Sequence, residues 1–166
     1  MEENLKLIML VGIPGSGKST WIKKFLDGYG IADNATGDWV ILSSDNFIEN
    51  HAKTLGKTYD QVFSDVIDTA QMQLFQDLDN AIASKKNVIW DQTNLTVKSR
   101  IKKMNMLPMN YTKHAVFFEI PSDLDARLAS RPGKTLRKDL IDRMKIQMEE
   151  PTTEEGFDSV SCVKGS

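Results

Sequence analysis

The stretch Gly12-Ile13-Pro14-Gly15-Ser16-Gly17-Lys18-Ser19 matches G-x-x-x-x-G-K-[ST] in full. The apolar run Leu5–Gly12 before it reads as a strand. Lys18–Asp27 after it reads as a helix, stopped by Gly28 and Gly30. That context separates the motif from an ordinary glycine turn. Glycines let the backbone curl so that successive N–H groups point inward, and the helix N-terminus adds its positive end. Gly12, Gly15, Ser16, Gly17, Lys18, Ser19 and Thr20 are therefore the expected seat of a nucleoside triphosphate such as ATP. Lys18 is expected on the β and γ phosphates, Ser19 on Mg²⁺ and Thr20 near the α phosphate.

Such a loop needs a sheet behind it, and the rest of the chain alternates strand and helix patterns. Strands are expected at Trp39–Leu42 (after the turn residues Asp33, Asn34 and Gly37), Asn87–Trp90, Ala115–Ile120 and Phe157–Val163. A long helix is expected at Tyr59–Ser84, where Val62, Val66, Ala70, Leu74, Leu78 and Ala81 fall three or four apart. Further helices are expected at Thr96–Leu107, ended by Pro108, and at Ser122–Ser130, between Pro121 and Pro132. A last one, capped by Thr135, carries the stripe Leu136, Leu140, Met144 and Met148. This alternation predicts an α/β chain with a mostly parallel sheet, right-handed crossovers and helices on both faces. Ligands then lie beyond the carboxyl ends of the strands.

Length and charge narrow the partners. A chain of 166 residues favours one domain over 1–166. A domain this size buries about 70% of its unfolded surface and needs no disulfide or metal to fold. The net charge of −2 argues against coating nucleic acid by charge alone, yet leaves room for a local basic patch. Cys162 is the one cysteine, so no internal disulfide forms and no disulfide-linked partner is expected. The run Leu7–Val11 is too short for a signal peptide, and no run approaches membrane-spanning length. A reducing, cytoplasmic setting without membrane attachment is the expectation.

The residues after the other strands supply candidate chemistry. Asp45 follows the second strand in Ser43-Ser44-Asp45-Asn46, and the expected strand order sets it beside the phosphate loop. A carboxylate there can accept the proton of an attacking alcohol late in a loose transition state. It can equally cap the helix that Ser43, Ser44 and Asp45 begin. Asp91 ends the third strand, where a carboxylate holds Mg²⁺ directly or through water. Gln92 stands where an ATPase or motor would carry a second acid, which speaks against a nucleotide-dependent switch or scaffold. Thr93 and Asn94 are candidates for substrate binding, or for the turn and cap before Thr96. Arg127 and Arg131, four apart on one helical face, precede Pro132-Gly133, Lys134 and Arg137. A helix ending in such a turn suits a lid that cancels charge on a transferring phosphoryl group and excludes water.

Weaker features read as structure. Lys98, Arg100, Lys102 and Lys103 suit a solvated helix face better than an anion site. His51 and His114 lack partners at metal spacing. Met104, Met106 and Met109 read as packing near a turn, and Cys162 as a small core hydrophobe.

Together, Leu10–Trp21, Ser44-Asp45, Asp91-Gln92-Thr93-Asn94-Leu95, Arg127, Arg131, Gly133-Lys134 and Met144 resemble the bacteriophage polynucleotide 5′-kinase domain. Glu150-Pro151-Thr152 and Glu155-Gly156-Phe157 are similar to the kinase domain of animal polynucleotide kinase-phosphatases. The likeness also extends to broader phosphate-loop kinases such as zeta-toxin-like proteins. It implies a three-layer α/β P-loop NTPase fold with about five parallel strands and an arginine-bearing lid. It implies Mg²⁺-ATP as donor and a hydroxyl of a nucleic acid end or nucleotide-like acceptor. By the same likeness Asp45 is the general base, Arg131 a lid arginine on the transferring phosphate, Arg127 its neighbour, and Lys18 and Ser19 the phosphate-loop pair. A phage-encoded chain would work in the host cytoplasm.

The acceptor side departs from that pattern. The phage kinase has arginine three residues after its base, where this chain has Ile48, and arginine just before it, where this chain has Ser44. No phosphatase domain follows, so no 3′-end repair activity is expected. The expectation is a polynucleotide 5′-hydroxyl kinase. The alternatives are a kinase of a hydroxymethylated DNA base, a nucleoside or a small alcohol.

Overall fold

β1 (Leu5–Val11) is buried along almost its whole length, as the central strand of a parallel sheet must be. The computed structural model describes residues 4–28 and 38–165. The turn residues Asp33, Asn34 and Gly37 and the helix stop at Gly30 lie outside the described residues. The elements run β1, α1 (Lys18–Gly28), β2 (Trp39–Leu42), α2 (Ser44–Thr54), α3 (Tyr59–Ala83), β3 (Asn87–Trp90), α4 (Val97–Met104), β4 (Tyr111–Phe118), α5 (Leu124–Ala129), α6 (Lys138–Gln147) and β5 (Ser159–Val163). A single 3-10 turn, Thr153–Glu155, precedes β5.

The five strands form one sheet in the order β2-β3-β1-β4-β5, every pair parallel. Successive β1 side chains point to opposite faces. Leu5, Leu7 and Met9 join Leu74, Leu78 and Ala81 of α3 and Met104 of α4. Ile8 and Leu10 join Ile22 and Leu26 of α1. Helices therefore cover both faces, and each fully buried Leu or Ile contributes about 1.5–3 kcal/mol. A third cluster ties α2 to α3 through Ile48, Ala52, Val62 and Val66. A fourth seats α5 and α6 behind the glycine loop through Ile13, Leu95, Leu124 and Ile141.

The helix starts follow local chemistry. Ser43 Oγ accepts from Asn46 N at the head of α2. Thr58 and Gln61 form a reciprocal capping box at the head of α3. Thr96 caps α4 through Ser99 N.

Several expectations need correction. α4 stops at Met104, short of Pro108, and β4 begins at Tyr111 rather than Ala115. Thr135 does not cap α6: Arg137 stands at that position, and Thr135 N donates to Asp60 instead. Cys162 is exposed, because β5 is an edge strand with little covering it. Met104 packs in the core, but Met109 is 99% exposed. Arg100 is not on a solvated face. Its side chain is 0% exposed and pairs with Glu155. Lys103 also turns inward, donating to Gln92 Oε1 and Asn94 Oδ1. No helix among the described residues is long and apolar enough to cross a membrane.

Candidate active site

The carboxyl ends of β1, β2 and β3 open into a cleft of about 840 Å³. Its floor is the glycine loop. Gly15 and Gly17 have φ of +84° and +103°, the left-handed region that favours glycine. The amides of Gly15, Gly17, Lys18, Ser19 and Thr20 have no backbone acceptor among the described residues. Ser16 Oγ is buried without a hydrogen-bond partner among them. These orphaned donors fit a row of phosphate oxygens. Gly15, Gly17, Lys18, Ser19 and Thr20 line the cleft, with Gly12 and Ser16 behind the loop surface.

Lys18 Nζ donates to Gly12 O at 2.6 Å. Burial lowers its pKa to about 8, against the opposing pull of Asp91 and Asp45. Desolvation disfavours the ammonium, and an anionic ligand would restore it.

Asp45 reaches the cleft from the first turn of α2. β3 stands between β2 and β1, so Asp45 is not on the strand next to the loop; the helix start carries it across. Ser43 takes the capping role and leaves the Asp45 carboxylate free for other partners. Asp45 Oδ1 accepts from Tyr59 Oη at 2.7 Å, and Oδ2 accepts from Lys134 Nζ at 3.0 Å. Burial pushes its pKa up. The Lys134 charge, the hydrogen bonds from Tyr59 and Lys134, and the Lys18 charge outweigh this and hold it below the ordinary carboxylate value. Burial and the Asp45 hydrogen bond raise the Tyr59 phenol, so it remains a donor.

Asp91 also lines the cleft. Burial raises its pKa, and Lys18 opposes the shift. Ser19 and Asp91 are the residues that would hold Mg²⁺. No cluster of three His, Cys, Asp or Glu exists among the described residues. A hydroxyl and one carboxylate fit Mg²⁺, which keeps several waters and shares phosphate oxygens.

Thr93 lines the cleft, and its carbonyl accepts from Gly12 N at 3.0 Å. Asn94 does not face the cleft, a correction to its candidacy for substrate. It is 2% exposed with φ of +49°, and its Nδ2 donates to Leu10 O, Trp90 O and Gln92 O. It is the turn after β3, while Thr96 is the cap. Gln92 takes Trp90 Nε1 and Lys103 Nζ on Oε1 and donates to Ser44 Oγ.

Arg127 and Arg131 both line the cleft. They do not share a helix, since α5 ends at Ala129 and Arg131 lies in the turn beyond it. Arg127 pairs with Asp123 at 2.8 Å and approaches Gly15 O at 3.5 Å. Arg137 pairs with Asp139 on the exposed side, and Lys134 reaches the cleft as Arg131 does.

Tyr59 and Glu49 were not legible as site residues. Lys134 Nζ binds Glu49 Oε1 at 3.2 Å and lies 4.5 Å over the Tyr59 ring. Tyr59 opens a helix 14 residues after Asp45, and no spacing rule joins the two.

Comparison with known proteins agrees with the fold. The family model described as AAA domain (AAA_33) matches residues 7–151. A candidate kinase from Chloroflexus aurantiacus j-10-fl superposes with a TM-score of 0.70 at 20% identity, over 99% of this chain and 87% of that one. A gluconokinase from Sinorhizobium meliloti 1021 gives 0.57 at 18% identity, over 99% and 85%. A chain of the Pnkp1/Rnl/Hen1 complex gives 0.56 at 22% identity, over 83% of this chain and 43% of that one. The shared feature is the fold.

Proposed function

The chain belongs to the AAA domain family and has the fold of P-loop phosphotransferases; from that premise we propose that it moves the γ-phosphate of ATP to a hydroxyl at a nucleic acid end. The observation that carries this reading is the placement of Asp45 on the same cleft as the phosphate loop, close enough for its charge to act on Lys18.

In that reaction the acceptor oxygen forms a bond to the γ phosphorus and the bond to the β–γ bridging oxygen breaks. ADP leaves, and the hydroxyl proton passes to Asp45. The loop amides and Lys18 grip the phosphates. Arg127, beside the glycine loop, and Arg131 line the cleft and cancel charge on the group in transit. Mg²⁺ held by Ser19 and Asp91 would supply further charge neutralisation.

On the acceptor side Lys53 and Lys57 line the cleft and can meet acceptor phosphates. A second reading, a small-alcohol acceptor, is favoured by Ile48. That side chain is 0% exposed within the α2–α3 cluster, so no cation stands where the phage kinase has one. The cleft volume also lies in the range of small-molecule sites.

Incubation with γ-labelled ATP and a panel of acceptors tests both. The panel holds 5′-hydroxyl oligonucleotides, hydroxymethylated DNA, nucleosides and sugar alcohols. Label on the oligonucleotide end supports the first reading, and label on a small alcohol alone replaces it with the second. Label in no acceptor, with ATP turnover stimulated by a protein, points to a nucleotide switch.

A further inference from the structure

Two side chains from outside α2 hold the Asp45 carboxylate, Tyr59 at the head of α3 and Lys134 in the turn after α5. We propose that Tyr59 and Lys134 are positioning residues that orient the Asp45 carboxylate and register the arginine-bearing turn on it. The inference rests on the reading of Asp45 as the base.

The turn containing Lys134 is fastened to the head of α3. Asp60 N donates to Gly133 O at 3.0 Å, and Thr135 N donates to Asp60 Oδ2 at 2.8 Å. From that turn the Lys134 ammonium crosses to α2, where Asp45 and Glu49 both accept from it. The Tyr59 ring covers a further side. One side chain, 13% exposed, thus joins the turn, α2 and α3. Arg131 lies three residues before it, so the same contacts set the distance between that arginine and the base.

Tyr59 fixes the other oxygen. With a phenol donating to Oδ1 and an ammonium to Oδ2, the carboxylate plane is held at both ends. Each oxygen keeps a second lone pair, so an acceptor hydroxyl can bind without displacing either partner. The groups around Asp45 are Lys18 at the start of α1, Glu49 on α2, Tyr59 on α3, Asp91 after β3 and Lys134 in the turn. Lys18, Tyr59 and Lys134 favour the ionised form, and Glu49 and Asp91 oppose it.

The test is the titration of the Asp45 side-chain carbonyl carbon in full-length protein labelled at aspartate, assigned with Asp45→Asn. Lys134→Met and Tyr59→Phe should each raise the Asp45 midpoint, and Lys134→Arg should leave it near the parent. In parallel, transfer from ATP to a 5′-hydroxyl oligonucleotide is measured, or to whichever acceptor the panel identifies. Lys134→Met should lower kcat by about ten- to a hundredfold with the KM for ATP kept, and Lys134→Arg should recover most of it. An Asp45 midpoint unmoved by both Lys134→Met and Tyr59→Phe overturns the proposal. So does a kcat loss in Lys134→Met that Lys134→Arg shares in full. Failure of the parent protein to phosphorylate any acceptor sinks the kinase reading instead, and the titration still decides the positioning.

Discussion

Arg100 and Glu155 meet at 2.5 Å with side chains 0% and 3% exposed, joining α4 to the turn before β5. Arg100 also donates to Asn94 O at 2.9 Å, and Glu155 Oε2 accepts from Thr152 N. The pair fastens the C-terminal segment to the loop that backs the cleft. Removing one partner leaves a buried charge uncompensated. Glu155→Gln is expected to cost about 3 kcal/mol by urea unfolding, and the apolar double change Arg100→Met with Glu155→Leu to cost less. Equal losses in the two would contradict the pairing argument.

Asp45→Asn is expected to remove transfer while leaving ATP affinity nearly intact. In the parent protein Asp45 is held below the ordinary carboxylate value, so the competent, ionised form survives into acid. Activity should fall only as pH drops through that lowered value, seen as an acid limb of kcat/KM well below neutrality. Lost ATP affinity in Asp45→Asn would point to metal ligation instead.

Lys18 titrates near 8, below the ordinary lysine value. Above that pH the free protein carries it largely neutral, and triphosphate binding favours its charged form. ATP binding should therefore take up a proton above about pH 8 and not well below it. Calorimetry in buffers of different ionisation enthalpy reads the uptake directly. Lys18→Met should abolish it along with most turnover.

Arg131 has no side-chain hydrogen bond or ion pair among the described residues, whereas Arg127 is tied to Asp123 and Gly15. Arg131→Ala should lower kcat by roughly a hundredfold, as loss of a charge-stabilising donor does. Its unfolding free energy should stay within about 0.5 kcal/mol of the parent. A large stability loss with normal kcat would assign Arg131 a structural role.

Gly133 has φ of +70°, and a Cβ there would lie 2.7 Å from Thr58 Cβ. Gly133→Ala should cost about 1–3 kcal/mol and displace the turn that carries Lys134. Calorimetric melting and kcat should fall together. A variant as stable and as active as the parent would show that the turn yields without consequence.

Much of this was legible because it is local. The glycine loop, the boundaries of β2 and β3 and the start of α3 follow from contiguous patterns. What escaped depends on distant partners. Arg100 reads as a surface cation until Glu155, 55 residues on, is brought against it. Asn94 reads as a polar candidate until the Leu10 carbonyl, 84 residues away, claims its amide. Arg131 shares helical spacing with Arg127, but α5 ends before reaching it. The roles of Tyr59 and Glu49 arise where α2, α3 and the arginine turn converge, and no periodicity announces such a meeting.

The 25 residues of α3 make a rod of about 37 Å. One end presents Tyr59 to Asp45, and the other is sunk among Leu74, Leu78 and Ala81 beneath the sheet. A lever of that length magnifies small rotations. Tilting it by roughly two degrees about the buried end would swing the Tyr59 end by about an ångström, and because Val62 and Val66 pack on Ile48 and Ala52, α2 and Asp45 would move with it; an ångström at a reacting centre can cost about a hundredfold in rate. Repacking near Ala81, far from any phosphate, is thereby a mechanical adjustment of the chemistry.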